Sequence, residues 1–155
     1  MNRVLSVVFA LGVTVGVGFV HAQSKPNFSG DWKMNLVKSD FGAAPAPDSM
    51  TRKIVHAEPA LTIDEEQATP IGPQRTTRKY VTDGTESTFQ ASGADVRTSA
   101  KWDGNVLVAV TTVDVVGLVY NDRMTLAADG KTLTSVVKLT TPQGPIDVTV
   151  VFEKQ

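Results

Sequence analysis

The alternation in the run Ile146 to Glu153 constrains this chain most. Ile146, Val148, Val150 and Phe152 occupy one set of positions, and Asp147, Thr149, Val151 and Glu153 the other. A period of two puts one set against a core and the other toward water, which is a half-buried strand. The stretch before it, from Val96, has the same character. Trp102-Asp103-Gly104-Asn105 and Asp129-Gly130-Lys131 supply Asp-Gly pairs, the turn chemistry of tight hairpins, because glycine tolerates the positive φ such turns need. Val, Leu, Thr and Tyr fill the intervals and pack well on a pleated surface. The expected class is all-β.

The same reading extends toward the N-terminus. Trp32, Met34 and Leu36 alternate with Lys33, Asn35 and Val37, suggesting a first strand. Lys38 to Met50 contains Pro45 and Pro47 and reads as an irregular loop. Its length suits a lid or rim, and equally an ordinary solvated loop. Thr51–Ala57 and Ala60–Asp64 read as two short strand runs kinked at Glu58-Pro59, where the proline marks an edge or bulge. Asp64-Glu65-Glu66-Gln67 reads as a polar turn, and Pro70-Ile71-Gly72-Pro73 as another. Strands then follow over Gln74–Thr82, Glu86–Ala91, Ala94–Trp102, Val106–Val115, Leu118–Leu126, Thr132–Thr140 and Ile146–Glu153. Turn signals recur every ~8–12 residues, as in barrels and sandwiches. Closing such a meander on itself removes exposed edges, so an antiparallel up-and-down β-barrel of about eight to ten strands is expected.

Residues 1–22 carry the pattern of a cleavable signal peptide: Arg3, an apolar run from Val4 to Val20, and Val20-His21-Ala22 at the cleavage point. Removing 22 of the 155 residues leaves 133, one domain's worth of chain. An exported chain without cysteine has no disulfides and no lipid-attachment thiol, so its core must hold it. Arg3 leaves with the signal, so 14 basic residues face 16 acidic ones, a net charge of −2. That balance gives nucleic acid no electrostatic footprint. Outward positions such as Arg97, Lys101, Asp147 and Glu153 argue against a membrane-embedded barrel. A periplasmic or extracellular monomer is expected, with no stable membrane insertion.

Phe28-x-Gly30-x-Trp32-Lys33 resembles the opening of lipocalins and of fatty-acid-binding proteins, and Thr149 to Lys154 resembles the last strand of the latter. Asn27 to Trp32, Lys38-Ser39-Asp40-Phe41-Gly42, Trp102-Asp103-Gly104 and Asp129 to Thr134 together resemble a family of secreted bacterial lipocalin-like, calycin-type barrels over nearly the whole mature chain. The resemblance implies a ligand-binding barrel. Two departures limit what it implies of chemistry. Fatty-acid-binding proteins carry an Arg and a Tyr on the last strand that clamp the ligand carboxylate, where this chain has Val150 and Phe152. They also place two helices where this chain has its proline-containing loop.

Catalytic and metal constellations are scarce. His56 is the one histidine left after cleavage, and nothing beside it supplies a partner, so it reads as a strand or surface histidine. Gly130-Lys131-Thr132 lacks the glycine a phosphate loop needs at Thr125, and a strand follows it. Asp64-Glu65-Glu66 lacks calcium-loop spacing. No nucleophile elbow exists. An enzyme is therefore not expected, and no cofactor is implied.

The candidate site is a cavity. If Tyr80 points inward, period two brings Arg78 with it, and Tyr120 brings Asp122. With Trp102, Val150 and Phe152 these form the expected ligand-binding set, for a neutral or weakly polar, hydrophobic small molecule. An inward Arg78 and Asp122 would need each other or a ligand, since buried unpaired charge is costly. The alternative is a non-catalytic structural or interaction module whose barrel is filled by its own side chains.

Overall fold

The computed structural model describes residues 24–155, and the expected signal peptide lies outside the described residues. Ten antiparallel strands form one sheet. They are β1 (Gly30–Met34), β2 (Ser49–Ala57), β3 (Ala60–Thr69), β4 (Gly72–Val81) and β5 (Ser87–Ala91). After these come β6 (Ala94–Asp103), β7 (Val106–Val113), β8 (Leu118–Leu126), β9 (Thr132–Thr141) and β10 (Gly144–Lys154). Strands consecutive in sequence pair with one another, apart from β4 and β5, and β1 also pairs with β10, joining the first strand to the last. The sheet curls into a nearly closed barrel. The remaining seam lies between β4 and β5, which share no ladder. It is pinned lower down, where the Thr98 hydroxyl donates to the Lys79 carbonyl at 2.6 Å and the Tyr80 hydroxyl meets Thr111 Oγ1 at 2.7 Å.

Three sequence expectations are corrected. The first strand ends at Met34; Leu36–Lys38 forms one 3-10 turn, leaving Val37 exposed. Glu58-Pro59 is the turn of the β2–β3 hairpin, not an edge or bulge within a strand. Asp64 to Gln67 is not a turn but the second half of β3. Three consecutive acidic residues resemble a solvated turn, yet period two sends Asp64 and Glu66 outward and Glu65 into the core. There Glu66 faces Arg75 across the ladder, and the two pair at 3.0 Å on the surface.

The interior is layered. Phe28, Trp32, Ile54, Leu61, Leu107, Met124, Leu133 and Phe152 fill the end of the barrel that holds the N-terminal segment and the β2–β3 hairpin. Trp32 is buried, and its indole N–H donates to the Phe28 carbonyl at 2.9 Å. Above this apolar plug lies a layer of buried polar side chains: Arg52, Glu65, Thr98, Thr111, Asp122 and Ser135. The inward positions beyond it, toward the opposite end, are only partly covered. Ser39 to Asp48 crosses that end and is stitched to β10. The Asp40 N–H donates to the Thr149 carbonyl at 2.8 Å, and the Thr149 N–H returns to the Asp40 carbonyl at 2.7 Å.

Candidate functional site: a cup over a charged floor

A cavity of about 190 Å³ lies beneath the Ser39–Asp48 loop. Phe41, Ala44, Pro45 and Pro47 roof it. Val137, Leu139, Val148 and Val150 form an apolar wall, and Arg52, Glu65, Arg78, Tyr80 and Asp122 form its floor. A wider cleft of about 620 Å³ opens beside it at the β4–β5 seam, walled by Thr76, Phe89, Val96, Val113 and Val116. Arg78 and Tyr120 line both spaces and stand between them. The loop therefore acts as a roof, one of the two roles its length allowed.

The floor is an ionic network. The Arg52 Nε–H donates to Glu65 Oε2 at 2.6 Å, and Arg78 Nη2 donates to the same oxygen at 2.8 Å. Gln67 Nε2 donates to the other oxygen at 2.7 Å. Arg52 Nη1 lies 3.2 Å from Ser135 Oγ and 3.7 Å from Asp122 Oδ2, while Ser135 donates to Asp122 Oδ1 at 2.5 Å. Two guanidiniums meet two carboxylates, so the layer is neutral as a whole. Buried charge persists only when paired and hydrogen-bonded in this way.

The two acids differ in environment. Burial works against the charge of Glu65, but the Arg78 and Arg52 guanidiniums outweigh it and hold this carboxyl far below the usual carboxylate range. Burial dominates at Asp122 and pushes its carboxyl up, with Arg52 and the Ser135 hydroxyl offsetting only part. Burial likewise raises the Tyr80 phenol. The Arg52 guanidinium also lies 4.4 Å from the centroid of the Phe152 ring, a cation–π contact that seats the charged layer on the apolar plug.

The structure gathers Arg78, Tyr80, Tyr120, Asp122 and Val150 around the smaller cavity. Trp102 and Phe152 are not on it. Trp102 points inward at the closed end, where it stacks on Phe28 at 5.7 Å and on His56 at 6.0 Å. Phe152 is fully buried beneath Arg52. Period two placed both on the correct face, but not at the correct height along the barrel axis. Arg52 and Glu65 escaped the sequence reading: Arg52 sits in a strand chosen for its alternation, and Glu65 in a supposed turn. Continuing the alternation of Leu61 and Ile63 by one step would have found Glu65.

The expectation that nothing beside His56 supplies a partner is corrected: Glu58, two residues on, does. His56 is buried, its Nδ1 accepts the Phe28 N–H at 3.2 Å, and its Nε2 meets Glu58 Oε1 at 3.1 Å. An accepting Nδ1 leaves the proton on Nε2, which donates to the carboxylate. Trp102 Nε1 reaches the same oxygen at 2.8 Å, and Thr82 donates to the other. Burial opposes the charge of Glu58, yet these hydrogen bonds hold its carboxyl below the ordinary value. The cluster is a latch on the closed end.

No helix among the described residues is long and apolar enough to cross a membrane. The sequence matches no protein-family model and no curated protein. Solved structures, however, share the architecture. A secretory abundant heat soluble (SAHS) protein from Ramazzottius varieornatus aligns with a TM-score of 0.61 at 16% identity, over 83% of this chain and 95% of that one. Zebrafish ileal bile acid-binding protein, complexed with cholic acid, aligns with a TM-score of 0.57 at 17% identity, over 83% and 98%. Fatty-acid-binding protein 1 of Echinococcus granulosus gives 0.54 at 14%, over 82% and 96%. The ten-stranded, nearly closed antiparallel barrel described above is the fold of these fatty-acid-binding-type, calycin-like proteins.

Proposed function

We propose that this protein binds a small, mostly apolar, neutral or weakly polar molecule in the cup, with the polar end of the ligand on the floor. One observation carries the reading: the plug fills one end of the barrel, while an apolar wall above a charge-balanced floor encloses unfilled space beneath the Ser39–Asp48 loop. The cavity of about 190 Å³ is smaller than an ordinary drug-sized site of about 300–1,000 Å³, so it suits a head group. The adjoining cleft of about 620 Å³ suits the apolar remainder. Arg78 donates to that head and Asp122 accepts from it, while Tyr120, Val148 and Val150 pack on it. Similar structures named for fatty-acid binding and bile-acid binding support a small hydrophobic ligand. Their names also favour binding over catalysis.

Preference for a neutral ligand follows from the floor. Buried Arg52 and half-buried Arg78 are already neutralised, so a carboxylate would add an unpaired charge to a largely desolvated site. The signal-like pattern of residues 1–22 supports an exported carrier. Both tryptophans sit in the closed end, so displacement of an apolar dye reports binding better than intrinsic fluorescence. A fatty alcohol should displace the dye at neutral pH more strongly than its matching acid. Clear preference for the acid would sink the neutral-ligand reading. Binding of neither would favour the filled-barrel alternative.

A further inference from the structure

The four charges on the floor are unequally held. Glu65 is gripped by both arginines at 2.6 and 2.8 Å, whereas Asp122 lies 3.7 Å from its nearest cation and is otherwise held by one serine hydroxyl. Asp122 also lines the cavity. The charged and titratable groups that face it are Arg52 from β2, Glu65 from β3, Arg78 and Tyr80 from β4, and Tyr120 from its own strand. The inward residues beside it on β7, β9 and β10 are Ala109, Thr111, Ser135, Val137 and Val150, none of which titrates.

We propose that the cup also admits amphiphilic anions, such as alkyl carboxylates or sulfonates, each in company with one proton that Asp122 takes from solvent. The charges then balance. In the empty site two guanidiniums face Glu65 and Asp122; in the anion complex they face Glu65 and the ligand. Protonated Asp122 becomes a donor toward the bound anion, and Arg52 gains the freedom to pair with it. Glu65 cannot fill this role, because two short guanidinium contacts keep it ionised. Burial, which already pushes the Asp122 carboxyl up, favours the same proton. The inference rests on the ligand-binding reading above and defines how the same cup treats charge.

The test compares 1-octanol with octane-1-sulfonate by displacement of 1-N-phenylnaphthylamine from acidic to neutral pH. The sulfonate stays anionic throughout, so any pH dependence belongs to the protein. Its affinity relative to octanol should fall as pH rises above the Asp122 pKa, by up to about tenfold per pH unit for one linked proton. Asp122→Asn, which mimics the protonated acid, should flatten that slope and bind the sulfonate at neutral pH as wild type does in acid. Calorimetric titration of wild type in buffers of different ionisation enthalpy should find up to one proton taken up per sulfonate, which needs no variant to fold. Octanol binding with a pH-independent ratio, or with no proton uptake at any pH in this range, overturns the proposal and leaves the neutral-ligand reading standing. If neither compound binds at any pH, the ligand-binding reading fails and this inference with it.

Discussion

Replacing Glu65 by Gln isolates the charge that holds the floor together. The amide keeps the shape and the acceptor oxygen that now lies 2.6 Å from Arg52 and 2.8 Å from Arg78. It removes the negative charge. The buried Arg52 and half-buried Arg78 guanidiniums are then left with Asp122 alone, and Asp122 is 3.7 Å from Arg52. Uncompensating a buried ion pair costs roughly 3–5 kcal/mol. With a urea dependence of about 2 kcal/mol/M for a chain of this size, the midpoint should fall by about 1.5–2.5 M. Trp32 and Trp102 both sit in the closed end, so their fluorescence reports the transition. A loss under about 1 kcal/mol, the size of an exposed ion pair, would mean that water already screens the floor. The acid side gives a second check. The folded pKa of Glu65 lies far below its unfolded value, so the unfolded chain takes up this proton first. The contribution of Glu65 is therefore complete at neutral pH and is lost as pH falls below about 5 toward the folded pKa. Glu65→Gln should show a shallower decline in stability over that window.

Trp32→Ala should cost about 3–5 kcal/mol, the usual range for deleting a fully buried aromatic; a loss below about 1 kcal/mol in urea unfolding would place Trp32 outside the plug. Gly42 adopts φ +53°, and a Cβ there would come within 2.6 Å of the Asp147 carbonyl oxygen. Gly42→Ala should thus cost roughly 1–2 kcal/mol from backbone strain alone and lift the Ser39–Asp48 loop from β10. Hydrogen exchange of residues 40–47 should speed up, and the apolar dye should associate faster. Unchanged exchange would mean that the loop is not a seated roof.

The sequence alone determined an antiparallel meander of about eight to ten strands, because alternation and Asp-Gly turns are local properties of the chain. It also showed which residues share a face, Tyr80 with Arg78, Tyr120 with Asp122 and Val150 with Phe152, while the closed sheet decided that the Tyr80 and Tyr120 faces turn inward. It failed where a local signal opposed the longer period. The acidic run Asp64-Glu65-Glu66 resembles a turn, and pairing with β2 on one side and β4 on the other keeps it extended. What no local pattern carries is height along the barrel axis. That depends on the shear of the closed sheet, which places Arg52, Glu65, Arg78 and Asp122 from four strands in one layer. The same stagger carries Trp102 down to Phe28 and His56, away from the cup. Charge balance in the floor is likewise a tertiary fact. Each of its carboxylates and guanidiniums is an ordinary polar residue in its own strand, and becomes a paired buried charge only when the barrel closes around it.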